Sequence, residues 1–331
     1  MRAVRSHEPG GPETLRLEDI PEPEPGPEQV RIAVRAAALN FPDLLQIQDL
    51  YQGRIERPFT PGSEAAGVVD AVGPGVVGLA VGDRVIGLSS SGALAEKFVV
   101  ASTDCHRIPA AVGFEPAAAL LVTFATGYYA LRDQADLQPG ETLVVLGATG
   151  GVGVAAIQIG KALGAFVVAA VSSQAKAEVA RDLGADAVVI YPGSLSDSAA
   201  KRSFSDALRA VCPERCSDVV FDPVGGGYAE PAFRTLGWRG RHLVVGFTAG
   251  IASLPMNLPL LKGARLIGVS YGAFSGNEPE RAAAHLSDIT AMLVEGRIAP
   301  LISARFPLER AAEGFAALAD RTSVGKIVIT F

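Results

Sequence analysis

Four glycines fall within seven residues at the centre of the chain, Gly147-Ala148-Thr149-Gly150-Gly151-Val152-Gly153. Glycine lets a backbone approach a pyrophosphate, and a helix starting at such a turn offers it unpaired N–H groups and a positive dipole end. A glycine pattern alone signals little; a strand before it and a helix after it make it a dinucleotide site, with Gly150, Gly151, Val152 and Gly153 against the phosphates. Both elements are readable. Leu143–Leu146 is a short apolar run that predicts a buried strand. Val152, Ala155, Ala156, Ile159 and Leu163 recur at helical spacing, and Gly164 is placed to stop the helix. About 20 residues past such a turn, NAD sites usually present an acid to the ribose 2′-OH. Here the strand Phe166–Ala170 runs into Val171-Ser172-Ser173-Gln174-Ala175-Lys176, with no acid. Hydroxyls and an ammonium suit a 2′-phosphate, which a carboxylate would repel. Ser172, Ser173 and Lys176 therefore predict NADPH in preference to NADH.

Other reactive side chains carry less. Cys105 stands alone, and Cys212 and Cys216 are spaced C-x₃-C on a predicted helix without further ligands, which favours packing over metal binding. The four histidines, His7, His106, His242 and His285, are scattered. Asp43, just inside a predicted helix start, is read as a partner of the helix dipole in preference to a proton relay.

The elements that must position these groups change along the chain. Up to about residue 115 the reading is β-rich: Arg2–Arg5 and Leu15–Glu18 around a turn, a proline loop over 21–29, Val30–Ala37 with Val30, Ile32 and Val34 on one face, a short helix within 39–51, then Glu64–Val72, Arg84–Leu88 and Ala95–Val100. Pro116–Arg132 reads as a helix bent at 123–127. Strands and helices then alternate to Gly246, implying right-handed crossovers and a parallel sheet. Arg265–Ser270 reads as a strand, Pro279–Glu295 and Leu308–Ala319 as helices, and Lys326–Phe331 as a final strand.

The 331 residues suffice for two domains, and 49% hydrophobic against 19% charged residues is a globular composition. A net charge of -6 with no basic cluster disfavours nucleic acid as a partner. The start, Met1-Arg2-Ala3-Val4-Arg5, has no apolar signal core, and three cysteines make a poor disulfide framework, so a cytoplasmic setting is expected, with no membrane association.

The chain resembles the zinc-free quinone oxidoreductase (zeta-crystallin-like) branch of the medium-chain dehydrogenase/reductase superfamily. The likeness runs through ALNFPDLL (38–45), PGSEAAGVVDAVG (61–73), VGDRV (81–85), ATGYYAL (125–131), GATGGVG (147–153) and VGKIVI (324–329). It implies an α/β fold: a Rossmann doubly wound parallel sheet, placed at 119–257, inserted in a β-rich GroES-like catalytic domain made of 1–118 and 258–331. It implies an active site in the cleft between the two and a homodimer. Where zinc-dependent relatives carry a cysteine and a histidine ligand, this chain has Asn40 and Ser63, so no metal is expected.

The resemblance also assigns roles. Asn40, with the backbone of 41–44 and therefore Asp43, lies beside the cofactor in relatives. Thr126 is placed on the nicotinamide side, Gly246 and Phe247 match the segment whose backbone holds the carboxamide, and Ser270 lies where relatives close the cleft. Tyr191 matches a tyrosine packed near the 2′-phosphate, and Arg321 reaches the nucleotide by analogy. Tyr51 matches a cleft tyrosine that either stacks on a planar acceptor and donates a proton, or is an ordinary loop residue. The expected activity is reduction of a quinone by NADPH, by hydride or one-electron transfer, with Asn40 and Tyr51 as candidate catalytic residues. Reduction of the double bond of an alkenal or enoyl thioester, and a non-catalytic NADPH-binding role, remain as alternatives.

Overall fold

The computed structural model describes every residue except Ser196, Arg321 and Thr322. It divides into two units, Met1–Val122 with Pro300–Phe331, and Thr123–Ala299.

In the first unit β1 (Arg2–Arg5) and β2 (Arg16–Asp19) pair antiparallel. The main sheet is built on β3 (Gln29–Leu39), with β4 (Glu64–Val72), β5 (Arg84–Leu88), β6 (Lys97–Ala101), β7 (Cys105–Arg107), β14 (Ile302–Pro307) and β15 (Lys326–Thr330). The order is β14-β15-β3-β4-β5-β7, and β6 pairs with β3. Val30, Ile32 and Val34 are buried as their alternation requires, while Arg31 on the opposite face pairs with Asp70 at 2.9 Å. Helices α1 (Phe41–Ile47), α2 (Phe114–Ala118) and α11 (Ala311–Ala319) complete the unit. Leu39, Ile47, Phe98, Phe315, Ile327 and Ile329 share its core; each such side chain contributes about 1.5–3 kcal/mol by leaving water.

The second unit carries a six-stranded sheet of order β10-β9-β8-β11-β12-β13, parallel throughout. Its strands are β8 (Thr142–Val145), β9 (Phe166–Val171), β10 (Ala187–Ile190), β11 (Ser217–Asp222), β12 (Leu236–Val244) and β13 (Arg265–Gly268). The central β8 is buried along its whole length, which explains why it reads as a continuous apolar run without alternation. The crossover and flanking helices are α4 (Gly151–Ala162), α5 (Gln174–Asp182), α6 (Ser198–Val211), α7 (Gly226–Thr235), α8 (Asn257–Lys262), α9 (Tyr271–Asn277) and α10 (Pro279–Val294). The bend expected at 123–127 takes the form of two π-type turns, Leu121–Ala125 and Tyr129–Gln134, around the short α3 (Thr126–Tyr128).

Three expectations are corrected. The chain returns to the first unit at Pro300 and not at 258, because β13 hydrogen-bonds to β12 and so belongs to the parallel sheet. The N-terminal segment extends to Val122, four residues beyond the expected 118. Cys212 and Cys216 do not share a helix: α6 ends at Val211, and both lie in the connection to β11.

Candidate active site

In the first unit the sheet register gathers a buried polar cluster. On β3, Ala38 faces Glu64 of β4, and Leu39 faces Ile327 of β15. Three strand ends therefore place Asn40, Glu64 and Lys326 side by side, although Lys326 is 286 residues from Asn40 in sequence. Lys326 Nζ donates to Glu64 Oε1 at 2.9 Å and to Asn40 Oδ1. Asn40 Nδ2 donates to the same Glu64 oxygen at 2.9 Å, and Glu64 Oε2 accepts the Val122 N–H at 2.9 Å. Glu64 is fully buried and Lys326 nearly so. Both ends of the Asn40 amide are thus committed, and its orientation is fixed by a cation on one side and an anion on the other.

Asp43 stands one turn further on. Its Oδ2 takes the backbone N–H of Asn40 at 2.8 Å, capping α1 as its position predicted. Burial pushes this carboxyl up to about 6, against the pull of the Asn40 amide, Ser63 and Lys326. Tyr51 follows α1 in an exposed loop, outside this cluster.

A catalytic zinc does not fit these residues. Asn40 and Ser63 supply neither thiolate nor imidazole, and the Glu64 carboxylate already binds an ammonium. Among the described residues no group of three or more His, Cys, Asp or Glu side chains could hold a metal ion. The missed residue is Lys326. Its signal was a lysine inside the otherwise apolar strand of VGKIVI.

The second unit builds the glycine turn between β8 and α4. Gly147 has φ +56, in the left-handed region. A Cβ on Gly153 would lie 2.3 Å from the Gly147 carbonyl oxygen, so only glycine lets α4 start this close to the turn. Gly150 caps α4 with no side-chain hydrogen bond, and it is exposed while Gly151 and Val152 are half-buried. The twelve-residue helix thus presents backbone N–H groups at its start.

The end of β9 follows the same pattern. Ser173 caps α5 by accepting the Lys176 N–H at 3.3 Å, and Ser172 beside it is exposed. Lys176 is half-buried, and burial lowers its ammonium pKa. Tyr191, after β10, packs on Tyr228 at 5.0 Å and Phe204 at 5.6 Å between ring centres. Burial pushes its phenol up to about 12, against a smaller opposing pull from the Gly147 backbone.

The remaining candidates are spread along the unit. Thr126 is half-buried in α3, Gly246 is half-buried and Phe247 exposed after β12, and Ser270 is the exposed cap of α9. Arg321 lies outside the described residues. No described helix is long and apolar enough to cross a membrane.

Comparisons with known proteins agree with this division. The alcohol dehydrogenase GroES-like domain family matches residues 26–110, and the zinc-binding dehydrogenase family matches residues 151–288. Quinone oxidoreductase-like protein 2 of Bos taurus is 36% identical over 319 residues, covering 96% of this chain and 89% of its own. A probable oxidoreductase from Mycobacterium abscessus has a similar structure, with a TM-score of 0.88 and 34% identity over 100% of this chain and 99% of its own. Escherichia coli quinone oxidoreductase, solved as a complex with NADPH, superposes with a TM-score of 0.90 and 26% identity over the whole of both chains.

Proposed function

Since the chain belongs to the medium-chain dehydrogenase/reductase superfamily, in its quinone oxidoreductase-like branch, we propose that it is an NADPH-dependent reductase of quinones that works without a metal. Two observations support the reading: the glycine turn before α4, which only glycine at 153 permits, and the buried lysine–glutamate pair that fixes the Asn40 amide. NADPH, when bound, supplies the hydride. The N–H groups at the start of α4 face the pyrophosphate, and Gly153 permits the approach. Ser172, Ser173 and Lys176 hold the 2′-phosphate, where an ammonium at a helix start adds charge to hydrogen bonding.

Asn40 serves as a fixed surface for the ring that accepts or gives electrons. Lys326 and Glu64 keep its amide from rotating, so no reorganisation is needed in the reaction. Tyr51, exposed on its loop, stacks on a planar acceptor and gives the reduced oxygen a proton.

A second copy of the chain joins at β13. This edge strand is mostly exposed, and Trp238, Leu260, Leu261 and Leu266 are large exposed apolar side chains on β12, α8 and β13. Light scattering on Leu266→Lys is expected to show a shift from dimer to monomer; an unchanged mass would remove the proposal.

The activity is tested by following NADPH oxidation with a panel of quinones, 2-alkenals and enoyl thioesters. Turnover of quinones well above the other classes is expected. Exclusive turnover of enoyl thioesters or alkenals would transfer the protein to double-bond reduction, and tight NADPH binding with no turnover would make it a binding protein.

A further inference from the structure

On the NADPH-dependent reading of the protein, we propose that Asp222 is a positioning residue for the nicotinamide half of the dinucleotide. It acts through the segment 245–250, which the turn it builds ties to the end of β11.

In an open parallel sheet a ligand lies outside the carboxyl ends of the strands, where the strand order reverses. The order β10-β9-β8-β11-β12-β13 reverses between β8 and β11. The glycine turn follows β8, and Ser172, Ser173 and Lys176 follow β9. With the pyrophosphate at β8 and the 2′-phosphate on the β9 side, the other half of the molecule extends over the ends of β11 and β12. Those ends continue as the turn 222–226 and the segment 245–250. The resemblance placed Gly246 and Phe247 at the carboxamide, and the sheet order leads to the same segment. It can be reached: Gly246 is half-buried, and Phe247, Ala249 and Gly250 are exposed.

Asp222 is almost fully buried beneath these turns. Its Oδ1 accepts the N–H groups of Val224 and Gly225, each at 2.8 Å. An oxygen that receives two backbone N–H groups is an acceptor whatever the charge on the carboxyl. The chain bends round it, with Gly225 at φ +68 and Gly226 at φ +51. The main chain of this turn then holds the segment. The Asp222 carbonyl accepts the Val245 N–H at 2.9 Å, the Val224 carbonyl accepts the Ala249 N–H at 2.8 Å, and the Gly226 N–H donates to the Gly250 carbonyl at 2.7 Å. The approach is so close that a Cβ on Gly226 would stand 2.4 Å from the Ala249 carbonyl oxygen. On its other side the turn abuts the phosphate-binding glycines, since a Cβ on Gly147 would meet Val224 at 3.0 Å. The Asp222 side chain thus fixes where the segment 245–250 stands relative to the glycine turn.

The test compares NADPH with 2′,5′-ADP, which has the 2′-phosphate and no nicotinamide, by calorimetric titration of the full-length protein. In Asp222→Ala, NADPH is expected to bind about tenfold more weakly, the order of one or two backbone hydrogen bonds. The affinity for 2′,5′-ADP should stay unchanged, which also shows that the variant folds. The fluorescence anisotropy of the bound dihydronicotinamide should fall in the same variant. Asp222→Asn keeps an oxygen acceptor and should restore both readouts. Gly226→Ala, which drives the turn and the segment apart with Asp222 in place, should reproduce the loss. In the wild-type protein, amide hydrogen exchange across 245–250 should slow with NADPH and not with 2′,5′-ADP, a readout that needs no variant. Equal weakening of both ligands or unchanged NADPH binding in Asp222→Ala, no restoration by Asp222→Asn, or equal protection of 245–250 by the two ligands would each overturn the assignment. None of these readouts uses turnover, so a wild-type protein that binds as expected and oxidises no NADPH would remove the reductase reading alone.

Discussion

Replacing Lys326 by methionine isolates the buried pair that Lys326 forms with Glu64 beside Asn40. Methionine keeps most of the stem's apolar packing and removes only the ammonium. Two hydrogen bonds are lost, to Glu64 Oε1 and to Asn40 Oδ1. The larger effect is that Glu64, fully buried, is left without its counter-ion, held by the Val122 N–H and the Asn40 amide alone. Breaking a buried ion pair by removing one partner costs about 3–5 kcal/mol. In a domain of this size that corresponds to a fall in melting temperature of roughly 10 °C. The double variant Lys326→Met with Glu64→Gln removes both charges. A glutamine can accept the Val122 N–H and donate to Asn40, whose amide is then free to turn over. Stability should return to within about 1–2 kcal/mol of wild type, because a buried pair is worth little against a neutral replacement. Differential scanning calorimetry on the two single variants and the double measures the coupling. A Lys326→Met protein within about 1 kcal/mol of wild type, or a double variant no better than the single, would refute a desolvated ion pair at this position.

Three further outcomes follow from the same geometry. Asp43, with its carboxyl raised to about 6, binds a proton more tightly folded than unfolded, so its contribution to stability grows as pH falls from about 7 towards 4 and is lost as pH rises through 6; the shift from 3.8 amounts to about 3 kcal/mol. A ¹³C titration of the Asp43 carboxyl checks this, and a midpoint near 4 would contradict it. Gly153→Ala forces a methyl group onto the Gly147 carbonyl and should abolish dinucleotide binding, read by fluorescence titration, while the far-ultraviolet circular dichroism stays native. Lys176→Ala should weaken NADPH about tenfold and leave NADH unchanged, the loss of one charge-assisted contact at a partly exposed site; an equal loss for both cofactors would place Lys176 away from the 2′-phosphate.

The parts of the fold that local pattern determines were legible. The β8–α4 unit announced itself because a buried strand, a glycine turn and a 3.6-residue repeat are all local signals. The face of β3 carrying Val30, Ile32 and Val34 was readable for the same reason. Lys326 was not, because its meaning depends on Glu64 and Asn40, which reach it only through the register of β15 on β3 and of β3 on β4. The return to the first unit was placed too early because β13 is four residues long and its parallel pairing with β12 leaves no mark in its own sequence. Tyr191 carries no local signal of this kind; its place against Tyr228 and Phe204 depends on how α6 and α7 pack beside the end of β10.

The most direct test of the central claim is the ratio of kcat/KM for NADPH over NADH, measured with a quinone acceptor after exhaustive treatment with a zinc chelator. Full activity after chelation and a ratio above about ten, the size of one phosphate contact, are the results expected of a metal-independent NADPH reductase. Loss of activity on chelation, or comparable kcat/KM for the two cofactors, would contradict it.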